Sequence, residues 1–322
     1  MAELSIIIVN WNSADVLRKC FASAYDTINI PFEIIVIDNN SSDNSVAMIR
    51  KEFAQAILIA RSSNAGFSKA NNDGFKASHG AYILVLNPDT VLLKGAVNRM
   101  VDFLKARADI GILGPRILKK DGIPDLTCKR KLPRISREFF TIFLLEKMLN
   151  KLKTAIPYTR KAFYRYYEKS EECESLSGSC MLFKRETFGR LGGFDESVPM
   201  YLDDIDICHR SRKMGLINFY LADAEIMHIG KYSTNTAGNN KIYDVLARQA
   251  HLFYYRKHSG KVVEFVYRII IALSVPYLLT LDTVCAPYFI FKGRAGELAW
   301  IVRKHLKYLK VAFSKEVLDV IK

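Results

Sequence analysis

Three groups of side chains in this 322-residue chain could do chemistry, and each admits a second reading. The first is Asn87-Pro88-Asp89, directly after the apolar run Tyr82-Ile83-Leu84-Val85-Leu86. Amide and carboxylate oxygens suit a hard divalent cation such as Mg2+ or Mn2+, and a cation there could bridge a diphosphate. The same tripeptide is also an ordinary Pro-Asp turn. The second group is Asp203-Asp204-Ile205-Asp206. Carboxylates that share a site raise each other's pKa, which favours a general base. Neighbours in a helix do not share a face, so one of Asp203 and Asp204 can point into a cleft while the other caps the helix. A plain acidic helix start reads equally well. The third is His228, after a short strand-like run and before Gly230. Neutral imidazole is a common metal ligand. A lone histidine is more often structural, so its weight depends on whether it meets Asp89.

The elements that must position these groups are visible in the hydrophobic pattern. Leu4–Val9, Ile34–Ile37, Ala56–Ile59 and Tyr82–Leu86 are short, continuous apolar runs. Helical patterns lie between and after them at Ala14–Tyr25, Ser45–Phe53, Ser68–Ser78 and Lys94–Lys105. This alternation predicts a mostly parallel sheet covered by helices on both faces. Ligands of such sheets bind beyond the carboxyl ends of the strands. Three of the four ends carry Asn, Asp and Ser: Asn10-Trp11-Asn12, Asp38-Asn39-Asn40-Ser41-Ser42 and Asn87-Pro88-Asp89-Thr90. Further along, Ser175–Phe183 reads as a strand, Lys184–Leu191 and Asp203–Met214 as helices, and Ile217–Leu221 and Ala224–His228 as short strands.

Two stretches stand apart. Residues 119–170 carry 14 basic and 5 acidic side chains, residues 256–322 carry 12 and 5, and the remainder is close to neutral against a total of +14. The first reads as a basic, aromatic insertion or lid with a weak helical pattern over Ser136–Leu152. The second is helical from Asn240 onward. It contains the uncharged run Ile269–Leu281, and prolines at 276 and 287 break its extension. A spanning helix needs about 20 apolar residues, so this run is marginal. With basic and apolar residues interleaved after it, the tail fits a helix on an anionic membrane surface. Packing on the body, or on a second copy as a homodimer, is the other use of such a tail. The expected organisation is a catalytic domain over 1–240 and a helical region over 241–322.

Some classes are excluded or disfavoured. No G-x-x-x-x-G-K-[ST], no G-x-G-x-x-G after the first strand and no G-x-S-x-G is present, against a P-loop ATPase, a dinucleotide oxidoreductase and an α/β-hydrolase. Without an RNA-binding signature the basic charge is poor support for nucleic acid as a partner. Six cysteines without a C-x-x-C pair read as reduced thiols of a cytosolic protein. The first residues lack the pattern of a signal peptide.

In their order, the following segments resemble the family 2 inverting glycosyltransferases, especially the rhamnosyltransferase-like branch. They are residues 5–13 (SIIIVNWNS), 33–43 (EIIVIDNNSSD), 64–67 (NAGF), 70–74 (ANNDG) and 82–90 (YILVLNPDT). After them come 177–182 (SGSCML), 192–196 (GGFDE), 200–208 (MYLDDIDIC), His228 with Gly230, and 255–258 (YRKH). The resemblance implies a GT-A type fold, a nucleotide-diphosphate-sugar donor and direct displacement with inversion. It places Asn10 and Asp38 at the nucleotide pocket, and Asn64 and Gly66 in the loop beside the donor. Asn87 and Asp89 take the two ends of the metal motif, with Asn in place of the first Asp, and His228 becomes the distal metal ligand. Asp204 matches the usual base, with Asp203 replacing the Glu before it. The implied activity is transfer of a sugar, rhamnose from dTDP-rhamnose first, to a lipid-linked (polyprenyl) or cell-surface glycan at the cytoplasmic face of the membrane. A processive polysaccharide synthase is the nearest enzyme rival, but Gln-x-x-Arg-Trp is absent. A nucleotidyltransferase lacks its Gly-rich basic loop. A catalytically weak interaction protein on the same fold is favoured only by Asn87.

Overall fold

A computed structural model of the chain describes residues 2–143, 164–198, 202–229, 243–293 and 295–314. Gly230, Met200 and most of the helical pattern expected to reach Leu152 lie outside them. The chain forms two compact units. The first comprises Met1–Leu132, Ala162–Ser197 and Asp203–Gly238, and the second Pro133–Lys161, Val198–Leu202 and Asn239–Lys322. The basic segment 119–170 contributes to both.

The first unit is an α/β layer structure. Strands β1 (Leu4–Asn10), β2 (Phe32–Asp38), β3 (Ile57–Ala60) and β4 (Tyr82–Leu86) are all parallel, in spatial order β3-β2-β1-β4. The apolar runs of β1, β2 and β4 are buried on both faces, as a parallel sheet under helices requires, whereas the edge strand β3 is only partly covered, with Ile57 37% exposed. β10 (Cys180–Lys184) then enters antiparallel between β4 and β6 (Ile110–Leu118), and β11 (Ile217–His228) follows parallel to β6. β5 (Thr90–Leu92) pairs antiparallel with the end of β11, and β8 (Glu171–Cys173) with its start. β7 (Lys129–Arg130) and β9 (Ser175–Leu176) make a separate two-stranded ribbon. The helices are α1 (Ala14–Thr27), α2 (Ser45–Glu52), α3 (Gly66–Ala77), α4 (Ala96–Lys105), α6 (Arg185–Arg190) and α7 (Asp203–Lys213).

Helix α3 shows why one of the family-like segments has its composition. A Cβ on Gly74 would come within 2.5 Å of the Ile7 side chain, so only glycine lets α3 lie this close to β1. Asn72 Nδ2 donates to Phe194 O at 2.8 Å and its Oδ1 accepts from Phe194 N at 2.9 Å, which pins the turn Gly192-Gly193-Phe194 to the helix.

Helix α5 (Ile135–Ile142) belongs to the second unit, with α8 (Tyr243–His258), α9 (Lys261–Phe291) and α10 (Ala295–Phe313). Within this unit Glu138 of α5 pairs with His251 of α8 at 3.2 Å.

The structure departs from the pattern-based expectations in four places. The run read as one strand over Ser175–Phe183 is two, β9 and β10, parted by the turn Ser177-Gly178-Ser179 and belonging to different sheets. β6 and β5 leave no hydrophobic pattern in the sequence, because Gly111, Gly114 and Pro115 interrupt one and the other has only three residues. The two runs before His228 are one 12-residue strand whose register shifts between Leu221 and Glu225. The tail was expected to break at its prolines, yet α9 continues through Pro276 and Pro287 for 31 residues. Both prolines sit on the exposed side of that helix, where the missing N–H leaves a carbonyl facing outward rather than into a packed interior.

Candidate active site

Strand register brings the first two polar ends together. Asn10 and Asp38 are partners in the β1–β2 ladder. Asn10 Nδ2 donates to Asp38 Oδ1 at 2.7 Å, and Asp38 also accepts from the Ser41 N–H (2.9 Å) and the Ser41 hydroxyl (2.6 Å). Ser13 donates to Asn10 Oδ1 at 2.5 Å. Both residues are sealed from solvent, Asn10 at 0% and Asp38 at 2% exposure. They hold the loops after β1 and β2, and what those loops leave outside is Asn12 and Asn40, each with positive φ (51° and 62°). Asn39 extends the frame, donating to Gly66 O at 3.2 Å. Asn64 Oδ1 accepts the Gly66 N–H at 2.9 Å, and Gly66 itself has φ +79°, a conformation that side chains resist.

A second corner forms where β5 meets β11. Thr90 and His228 are ladder partners, so Asp89, one residue before β5, lies against the imidazole. Asp89 Oδ1 and His228 Nε2 are 3.0 Å apart although 139 residues separate them in sequence. Burial pulls the His228 pKa down, the hydrogen bond and charge of Asp89 push it up, and the push wins, so it stands above its ordinary 6.5. The 3.0 Å gap equals the spacing of two adjacent ligand atoms around an octahedral cation with bonds of about 2.1 Å. The donor set, one carboxylate and one imidazole, suits Mn2+ or Mg2+ that keeps several further positions for phosphate and water. Among the described residues no cluster of three or more His, Cys, Asp or Glu offers an all-protein cage. Asn87 sits beside this pair. Its backbone N–H donates to Ser179 O at 2.9 Å, and its carbonyl accepts from the Thr90 hydroxyl at 2.7 Å.

A third corner is built on α7. Asp204 Oδ2 accepts from the Gly178 N–H at 2.8 Å and from the Arg130 guanidinium, while Oδ1 accepts from the Ile205 N–H at 2.8 Å. A carboxylate has about four lone-pair sites, so these three bonds leave one on Oδ1. Asp203 is turned elsewhere: its Oδ1 takes the Ser68 hydroxyl of α3. Asp206 is structural, 2% exposed and paired with Arg210 at 2.8 Å, which in turn donates to Gly193 O at 2.9 Å. Gly178 lets the turn approach this carboxylate closely: a Cβ there would stand 3.1 Å from Asp204 Cβ, a tight contact.

The turn Ser177-Gly178-Ser179 joins the second and third corners. Its residue 179 receives the Asn87 N–H and its residue 178 donates to Asp204. The sequence-derived candidates therefore fall into a closed frame (Asn10, Asp38), a loop beside it (Asn64, Gly66) and two linked corners (Asn87, Asp89 and His228; Asp204). Arg130 escaped the sequence reading because one Arg among 14 basic residues of a basic segment carries no signal of its own. Gly178 was inside a quoted segment, but its partner was not readable. The thiols take no part: burial pushes Cys20, Cys128 and Cys208 up to about 12, which keeps them protonated and unreactive at neutral pH.

Residues 5–192 match the model of glycosyl transferase family 2. The chain belongs to that family and is a glycosyltransferase of the inverting kind. It is similar to the N-acetylglucosaminyl-diphospho-decaprenol L-rhamnosyltransferase of Mycobacterium tuberculosis (strain ATCC 25618 / H37Rv), 26% identical over 271 residues covering 80% of this chain and 85% of the relative. It is also similar to rhamnosyltransferase WbbL of Escherichia coli (strain K12), 24% identical over 243 residues, 72% of this chain and 85% of that one. Among solved structures, the mannosyltransferase PcManGT from Pyrobaculum calidifontis in complex with GDP-Man and Mn2+ superimposes with a TM-score of 0.55 at 16% identity, covering 98% of this chain and 87% of that chain. That likeness establishes the GT-A fold.

Proposed function

We propose that this enzyme moves a hexose, rhamnose from dTDP-rhamnose as the first candidate, onto a polyprenyl-diphosphate-linked glycan at the cytoplasmic face of the cell membrane. The observation that carries the reading is the meeting of Asp89 and His228 beside a turn that also holds Asp204. In this reading Asp89 and His228 hold Mg2+ or Mn2+, with Asn87 beside them. Bound there, such a cation supplies neutralisation of the charge that develops on the leaving diphosphate. The decaprenol-linked substrate of one relative and the rhamnosyl transfer named for both support a lipid-linked acceptor and a rhamnosyl donor, and the structural neighbour's bound Mn2+ supports the ion.

The chain's own residues then divide the work. Asn10 and Asp38 act on the nucleotide through the loops that they brace, and Asn64 with Gly66 borders the donor. Asp204 is the general base. Its free Oδ1 lone pair takes the proton of the acceptor hydroxyl as that oxygen attacks the anomeric carbon from the face opposite the diphosphate, which inverts the centre. Arg130 and the Gly178 N–H fix the carboxylate's rotamer. Asp203 braces α7 against α3. We assign the catalytic domain to residues 1–240 and the membrane-facing helical region to 241–322, with the basic segment 119–170 placed to meet an anionic acceptor or leaflet.

The test is a panel of nucleotide sugars, each scored for thermal stabilisation of the protein with and without Mn2+. A ligand that binds only the folded state raises its stability by mass action. We expect dTDP-rhamnose to stabilise most, and only with the metal. Stabilisation by no sugar nucleotide, or equal stabilisation after chelation, overturns the proposal.

A further inference from the structure

Helix α9 has two unlike faces. From Val262 to Phe291 every residue exposed on it is uncharged, and most are large and apolar: Val262 is 77% exposed, Phe265 62%, Leu273 61%, Val284 72% and Phe291 86%. The charged residues in the same interval all point inward and are paired. Glu264, 4% exposed, takes the Arg268 guanidinium at 2.8 and 2.9 Å, and Asp282 Oδ2 meets His305 Nδ1 at 2.7 Å. Arg268 also donates to the carbonyls of Ala312 and Ser314, both at 2.9 Å, and so caps the far end of α10. The two helices are thus an antiparallel hairpin tied at two levels, at the C-terminal end of α10 and midway along it.

By length and composition Lys261–Val284 is a candidate membrane span. The hairpin excludes that use. Its two ties set residues 305–314 alongside 268–282 of α9, and the exposed Lys307 and Lys310 of α10 lie between them. A crossing α9 would carry both ammonium groups to mid-bilayer with it, among the costliest placements for a side chain.

We infer that the α9–α10 hairpin lies in the plane of an anionic leaflet, with the Val262–Phe291 face sunk into the acyl boundary and the basic side chains at headgroup level. The sequence from Lys261 to Phe313 has eight basic and three acidic residues, so its charge complements such a leaflet rather than a second copy of itself. This deepens the membrane-facing assignment above and does not depend on which sugar is transferred.

Full-length protein is floated with vesicles of phosphatidylcholine alone and with 30% phosphatidylglycerol. We expect flotation with the anionic vesicles, weakened by 0.5 M salt, and stripping by alkaline carbonate. The double variant Phe265→Glu/Leu273→Glu should lose at least tenfold in vesicle affinity, and Lys307→Glu/Lys310→Glu should lose the preference for anionic lipid. Leu273→Trp should emit blue-shifted on vesicles and be quenched more by shallow than by deep lipid labels. Retention through carbonate with deep quenching would establish a span and overturn the inference. A vesicle-free dimer that the double glutamate variant splits would assign the stripe to a second copy and overturn it too. Donor stabilisation with Mn2+ is measured on the same variants and should not change. Its absence in every form would sink the transferase reading while leaving the flotation result intact.

Discussion

Two clusters of Asn, Asp and Ser sit at ends of neighbouring strands, and they differ in what their polar groups have left to offer. At the ends of β1 and β2, Asp38 is 2% exposed and its carboxylate is engaged by Asn10 and twice by Ser41. At the other cluster, among the described residues, Asp89 makes one side-chain hydrogen bond, to an imidazole that is itself a potential ligand, and Asp204 keeps a lone pair open. The same residue types serve as a frame in one place and as reactive groups in the other. Hydrogen-bond accounting separates them where composition does not.

The largest effect should come from Asp204→Asn. The amide keeps the shape but cannot accept the hydroxyl proton, and general base catalysis contributes about a thousandfold. We expect transfer to fall by that factor while Mn2+-dependent donor binding, followed by calorimetry, is unchanged. Near-normal transfer would erase the distinction between the clusters, because Asp204 would then be scaffold as well. Next come Asp89→Ala and His228→Ala. Each should flatten the Mn2+ titration of donor binding and lower transfer by about a hundredfold, as losing part of a charge-neutralising site implies. An unchanged titration in both variants would remove the second corner from the site.

Arg130 sharpens the contrast. If it positions Asp204, Arg130→Ala should lower kcat about tenfold, in line with a charged hydrogen bond, with little effect on donor affinity. Arg130→Lys should recover part of that loss. A rise in KM for the acceptor alone, with kcat intact, would make Arg130 a binding group instead.

How much of this was legible in the sequence follows from range. The four parallel strands and their helices were readable because each is a local apolar run with local punctuation. Asp89 and His228 were each readable as candidates. Their meeting was not, because it depends on β5, three residues long, pairing with the end of β11. The partnership of Arg130, Gly178 and Asp204 spans up to 74 residues and rests on a two-residue strand, β7, which has no periodicity to detect. In the tail the opposite happened. The prolines gave a strong local signal for a break, and helix packing along the other face overrode it.

The smallest effect on transfer should come from the closed frame, and it is the measurement that most directly challenges the comparison. Asn10→Ala removes the donor to Asp38 Oδ1 and the acceptor of the Ser13 hydroxyl, both fully buried. A hydrogen bond to a buried charged group is worth about 1.5–3 kcal/mol. The variant should therefore unfold at lower urea, by about that free energy in the unit containing residue 10, with Trp11 emission as the local probe. Asp38 retains both bonds from Ser41, so the loop after β2 should survive. Transfer per folded molecule should then stay within about twofold, since no reacting atom loses a contact. Unchanged stability with a tenfold loss of donor affinity would mean that Asn10 touches the nucleotide itself. The two clusters would then be alike in kind, and burial in the donor-free protein would be a closed state that the nucleotide opens.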